Sequence, residues 1–143
     1  QANSINENLK NLNWISKFDQ PKNELKVIKE ALKVIDGDIR AKTLITHYQF
    51  IATILDKPLY ILNRWYLWDN NTHPTENHKY FDFYKSFIDK NIKKNKVKVV
   101  YLLGQKNEIN FKNVKNYFTD TCFKSKTIIP DRFSMHEIVK CKK

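Results

Sequence analysis

Seven residues, Val97-Lys-Val-Val-Tyr-Leu-Leu103, do more than any other stretch to limit what this chain can become. All but Lys98 are apolar or aromatic, and Gly104 follows at once. A strand that is apolar on both faces has to be covered on both faces, which marks the centre of a mainly parallel sheet. The surrounding pattern agrees, because helical and strand periods alternate along the chain.

Taken in order, Ile5, Leu9, Leu12, Ile15 and Phe18 recur every three or four residues and predict an amphipathic helix over 3–18. Pro21 opens a second helix with Leu25, Ile28, Leu32 and Ile35 on its apolar face, and Gly37 is expected to close it in a left-handed cap. A short strand is predicted over 42–46, a compact helix over 47–55 and a second strand over 59–62. Pro74, with Thr72 or Thr75 as cap, is expected to open a helix that buries Tyr80, Phe81, Tyr84, Phe87, Ile88 and Ile92. The strand at 97–103 follows, then a short helix near 110–118 and two extended stretches on either side of Pro130-Asp131-Arg132. Right-handed crossovers place the first strand between the second and third. The expected fold is α/β: a three-layer, mainly parallel, Rossmann-like sheet with a C-terminal antiparallel hairpin. At 143 residues it forms one domain, with residues 1–20 as a leading helix and 21–143 as the α/β unit.

Two glycines, Gly37 and Gly104, exclude a Walker loop, a GxGxxG fingerprint and a GxSxG elbow. Asp36-Gly37-Asp38 has the form of a metal-binding DxD, yet it stands where a helix ends. His47, His73, His78 and His136 form no HExxH, so neither a metal nor another cofactor is expected. The net charge of +11 raises anionic partners, but only Arg40, Arg64 and Arg132 among the 26 basic residues are arginines. Base-edge readout favours Arg, so nucleic acid is not the expected partner. No apolar run approaches membrane-spanning length. With a polar start and no initiator Met, the chain reads as a fragment of something longer.

In a parallel sheet, ligands bind outside the carboxyl ends of the strands. Those ends are followed here by Thr46-His47-Tyr48-Gln49, Asn63-Arg64-Trp65-Tyr66 and Gly104-Gln105-Lys106. A guanidinium beside aromatic faces can stack, and it can hold a carboxylate or phosphate through two parallel hydrogen bonds. Arg64, Trp65, Tyr66, His47, Tyr48 and Gln105 are therefore the candidate rim for a substrate or partner. The same groups could instead satisfy loop backbone, with Arg64 pinning a loop over the core. For the cysteines, a hairpin turning between Asp131 and Arg132 would set Cys122 opposite Cys141, within disulfide reach; two buried free thiols are the alternative.

The stretches Leu62–Tyr66, Leu44–Phe50, Val99–Leu103 and Cys122–Ser125 through Cys141 together resemble the soluble C-terminal region of bacterial polytopic membrane proteins of the GT-C glycosyltransferase type. That class includes the dolichyl-phosphate-mannose-dependent mannosyltransferases. The resemblance implies an extracytoplasmic (periplasmic-side), membrane-tethered accessory domain beside a lipid-linked sugar or its acceptor. The catalytic acid would lie in the chain's own transmembrane portion. The membrane surface is a further expected partner. The competing readings are a basic phosphate- or nucleic-acid-binding module, whose binding would fall steeply with salt, and a free-standing small enzyme, which needs a pocket with perturbed acid or base groups.

Overall fold

The computed structural model describes residues 1–16, 19–55, 58–62, 74–105, 110–118 and 120–141. Within them a five-stranded sheet has the order β2-β1-β3-β5-β4, where β1 is Lys42–Thr46, β2 Leu59–Tyr60, β3 Val99–Leu103, β4 Cys122–Ile129 and β5 Phe133–Val139. β1 runs parallel to both β2 and β3, and β5 is antiparallel to β3 and to β4. As the apolar pattern demands, β3 is interior, and every one of its residues is buried.

Period-two alternation divides the core. Val100 and Leu102 of β3 and Ile45 of β1 pack with Ile88 and Ile92 of α3 (Phe81–Lys94) and Val114 of α4 (Phe111–Lys115). Val99, Tyr101, Leu103 and Leu44 pack instead with Ile28, Ala31 and Ile35 of α1 (Pro21–Gly37) and Ile51 of α2 (Ile51–Ile54). The connections β1→β2 and β2→β3 travel in opposite directions along the sheet. Their helices, α2 and α3, join different clusters, as two crossovers of one hand require.

Several expectations are corrected. The helix expected over 3–18 is absent from the described residues 1–16, which hold two single 3-10 turns, Ala2–Ser4 and Glu7–Leu9. Asparagine is the cause. The Asn6 side chain accepts from the Asn8 N–H (2.9 Å), and Asn11 takes φ 70°, both local alternatives to a helical ladder. Ile15, placed on the apolar face, is 87% exposed. α3 begins at Phe81 rather than Pro74, because the Tyr117 hydroxyl donates to the Pro74 carbonyl (2.8 Å) and turns at Thr75–His78 and His78–Phe81 precede it. Tyr80 and Phe87 consequently face outward. α2 is shorter than predicted, since turns occupy 49–50, and β2 ends at Tyr60.

The hairpin register also differs. Arg132 N–H donates to the Ile129 carbonyl (3.1 Å) and Asp131 adopts φ 56°, giving a three-residue loop that pairs Ile129 with Phe133. A bulge between Thr127 and Ile129 shifts the register once more, so Cys122 faces Val139, not Cys141. The disulfide forms nonetheless: Cys141 lies just past the end of β5, and its Cα is 5.1 Å from that of Cys122.

Gly37 is not a left-handed cap. No glycine among the described residues has positive φ, and the chain leaves α1 through Asp38 at φ −86°, ψ 116°. A Cβ at Gly37 would meet nothing within 4 Å. Gly37→Ala should therefore stabilise the domain by roughly 0.5–1 kcal/mol in urea unfolding, where a left-handed position would have lost stability.

Candidate functional site

The carboxyl edge of β1 and β3 is built around a buried carboxylate. Glu24 stands in the first turn of α1, where the helix dipole favours an acid, and is only 2% exposed. Its Oε1 accepts from the Tyr48 hydroxyl and, at a longer 3.5 Å, from the Gln105 amide; Oε2 accepts from the Trp14 indole N–H at 2.8 Å. Burial alone would raise its pKa. The hydrogen bonds from Tyr48, Trp14, Ser16 and Gln105 outweigh burial and hold the pKa below the usual value, so Glu24 is ionised at neutral pH. Burial, joined by the Glu24 carboxylate, pushes the Tyr48 phenol well up and keeps it a donor.

Arg132 closes the edge from the hairpin side. Its Nε donates to the Gly104 carbonyl (2.9 Å) and its Nη1 to Asp19 (2.7 Å), while its own carbonyl accepts from Gly104 N–H (3.0 Å). The hydrogen bond from Arg132 holds the Asp19 carboxyl below its usual range. The Arg132 side chain is 10% exposed, and its Nη2 is buried without a hydrogen-bond partner among the described residues. The aromatic wall beside it is Trp14 edge-on to Phe50 (5.4 Å), with the His47 ring tilted against Tyr48 (4.0 Å).

The expected strand-edge convergence is thus present in part. His47, Tyr48 and Gln105 do meet at one edge, with Tyr48 and Gln105 on the same carboxylate. Arg64, Trp65, Tyr66 and Lys106 lie outside the described residues. Sequence reasoning missed Glu24, Arg132, Asp19 and Trp14. A signal for Glu24 existed: the buried positions of α1 are 24, 28, 31 and 35, so a carboxylate occupies the first core position of the helix. Leu25, expected on that face, is only half-buried.

A cavity of about 250 Å³ lies on the neighbouring face of β5, lined by Asn110, Thr127, Arg132, Ser134 and His136 among others. His136 is held between Ser125 Oγ at Nδ1 and Ser134 Oγ at Nε2, both at 2.8 Å, and stacks on Phe111 with centroids 3.5 Å apart. Burial depresses its pKa to about 4. The spacing is that of a hydroxyl beside a base, but a base this weak activates a serine poorly. Among the described residues no group of three or more His, Cys, Asp or Glu could hold a metal ion. Chemically, the N–H groups of a guanidinium suit an anionic or carbonyl oxygen and an aromatic wall suits a flat apolar face, but Arg132 Nη2 is covered and would have to be uncovered to meet a ligand. Compared with known protein families, characterised proteins and solved structures, the chain finds no match.

Glu24→Gln replaces one acceptor oxygen by an N–H group that faces existing donors and should cost about 2 kcal/mol in urea unfolding. Tyr48→Phe should cost about 1 kcal/mol, and the double variant should fall short of the sum, because the two act through one contact. The pH dependence has a separate source. Between the ordinary histidine value of 6.5 and about 4, the unfolded chain binds a proton at His136 that the folded chain refuses. Stability should therefore fall as pH drops through that window, by on the order of 3 kcal/mol, and His136→Gln should flatten the slope.

Proposed function

We propose that this chain is an extracytoplasmic accessory domain of a membrane glycosyltransferase of the GT-C type, docking a lipid-linked sugar or its acceptor at the strand edge without performing chemistry itself. The observation that carries the location is the Cys122–Cys141 disulfide, since such bonds persist in oxidising compartments. Among the described residues no helix is long and apolar enough to cross a membrane, so on this reading the tether belongs to a segment encoded elsewhere in the gene. Supporting the docking role are the buried Arg132, with one nitrogen uncommitted, and the Trp14–Tyr48–Phe50 wall beside it. Arg64, Trp65 and Tyr66 would complete the same rim. The reading also takes the fold as a three-layer, Rossmann-like domain, which the division of the core into two clusters supports.

Two measurements test this. The gene upstream of Gln1 should encode hydrophobic membrane-spanning segments; an upstream region without any would overturn the tether. In NMR titration with a hexose 1-phosphate, the Trp14 indole N–H, the Gln105 amide and the Arg132 Nε–H should shift together. Arg132→Lys, checked for folding by circular dichroism, should abolish those shifts, because an ammonium cannot reproduce the fork. Shifts confined to exposed lysines, or duplex-DNA binding that collapses with salt, would favour the basic-module alternative instead.

A further inference from the structure

The solvent face of α3 is chemically unlike an ordinary helix surface. Its inward side is Phe81, Ile88 and Ile92, with Tyr84 at the margin. On the opposite side, Phe83 is 74% exposed, Phe87 42%, and Tyr80, at the helix N-cap, 56%. The spacings 80, 83, 87, 90 and 94 follow the helical repeat, so these three rings line up with Lys90 and Lys94 in one stripe. Lys79 stands beside it, its ammonium 4.8 Å from the centre of the Tyr80 ring. Lys93 is tied to Asp89 (2.7 Å), whereas Lys79, Lys90 and Lys94 are exposed. Asp82, next to Phe83 in the chain, is exposed as well.

We propose that this face of α3 docks on an anionic phospholipid surface, the rings entering the headgroup region and the lysines meeting lipid phosphates. Three features select that occupant. The charge is complementary, locally through Lys79, Lys90 and Lys94 and globally through a net +11. Aromatic rings interleaved with lysine stems are the composition of an interfacial helix, the stems snorkelling while the ammonium groups stay wet. The face is also a single convex helix, and its aromatic part spans only about 10 Å at 1.5 Å per residue. A partner protein would need a matching groove and a larger apolar area to bind it stably, whereas a fluid bilayer needs neither. The inference goes beyond the docking role proposed for the strand edge. It shares with that reading only a domain placed beside a bilayer, and it needs neither a transmembrane tether nor a sugar.

The test is co-sedimentation of the chain with vesicles of phosphatidylcholine alone and of phosphatidylcholine mixed with phosphatidylglycerol. Binding is expected to the mixed vesicles only. Phe83→Ser with Phe87→Ser should weaken it about tenfold or more with every lysine retained, and Lys90→Glu with Lys94→Glu should do the same with every ring retained. All four side chains are exposed, so circular dichroism should show an unchanged fold. No binding to the mixed vesicles would overturn the proposal. So would binding that ignores both double variants, which would reflect net charge alone, or binding lost with the lysines but not the rings. If polyglutamate binds with the same dependence on Phe83 and Phe87, the face fits an acidic protein and not a bilayer. Because the tether is tested by the upstream gene, and the sugar by the hexose 1-phosphate titration, the readings fail separately.

Discussion

A carboxylate excluded from water is tolerable only when donors replace the water, and Glu24 draws its donors from distant parts of the chain. Trp14 comes from the irregular N-terminal segment, Tyr48 from the end of β1 and Gln105 from the end of β3. The N-terminal segment has little regular structure to hold it, yet Trp14 and Ile5 pack against the core cluster beneath α1. Were Glu24 apolar, the indole N–H and the phenol would be left unsatisfied in a dry site. The fold at this edge therefore depends on a charge, and the charge depends on the fold.

The other end of α1 repeats the arrangement. Asp38, just past the helix, accepts from the Tyr101 hydroxyl (2.7 Å) and from Arg40 at Nε (2.9 Å) and Nη2 (2.8 Å), while its carbonyl accepts from Lys42 Nζ (2.5 Å). Burial works against ionisation, but the hydrogen bonds from Arg40 and Tyr101 hold its pKa down to about 2. Arg40 also reaches Glu137 of β5 (3.1 Å), joining α1 to the antiparallel part of the sheet. One helix is thus fixed at both ends by carboxylates that take a tyrosine hydroxyl, from Tyr48 just past β1 at one end and from Tyr101 in β3 at the other. Between those ends Ile28, Ala31 and Ile35 supply the non-directional burial. The polar ends set where along the sheet the helix sits, which apolar packing alone specifies weakly.

How much of this the sequence carries depends on the range of the interaction. β1, β3, their parallel pairing and the position of β1 between β2 and β3 follow from local apolar runs and the hand of the crossover, and all are present. The 3–18 region failed because periodicity was weighed without the asparagines, whose side chains compete for the same backbone groups. The hairpin was recognisable, but its register depended on the conformation of Asp131 and on one bulged residue, neither of which a hydrophobic pattern encodes. At the candidate site, the strand-end rule located Tyr48 and Gln105. The groups that give the site its charge, Glu24 and Arg132, come from a helix start and a hairpin turn, and only tertiary pairing brings them there.

The disulfide acquires its meaning from the sheet edge it closes. β4 is an outermost strand, and an outer edge leaves backbone donors and acceptors open to another chain. Its middle residues, Lys124 to Thr127, are exposed, and the two lysines there oppose pairing by a foreign strand. That protection weakens toward Cys122, where the facing strand ends at Val139 and the pairing could fray. The covalent link to Cys141 spans a sequence separation of 19 and holds this open end. It stabilises by roughly 3 kcal/mol through the restricted unfolded chain. Lysines guard the centre of the edge in any compartment. The cross-link guards its end only where thiols stay oxidised, so the integrity of this edge is itself coupled to the compartment in which the domain works.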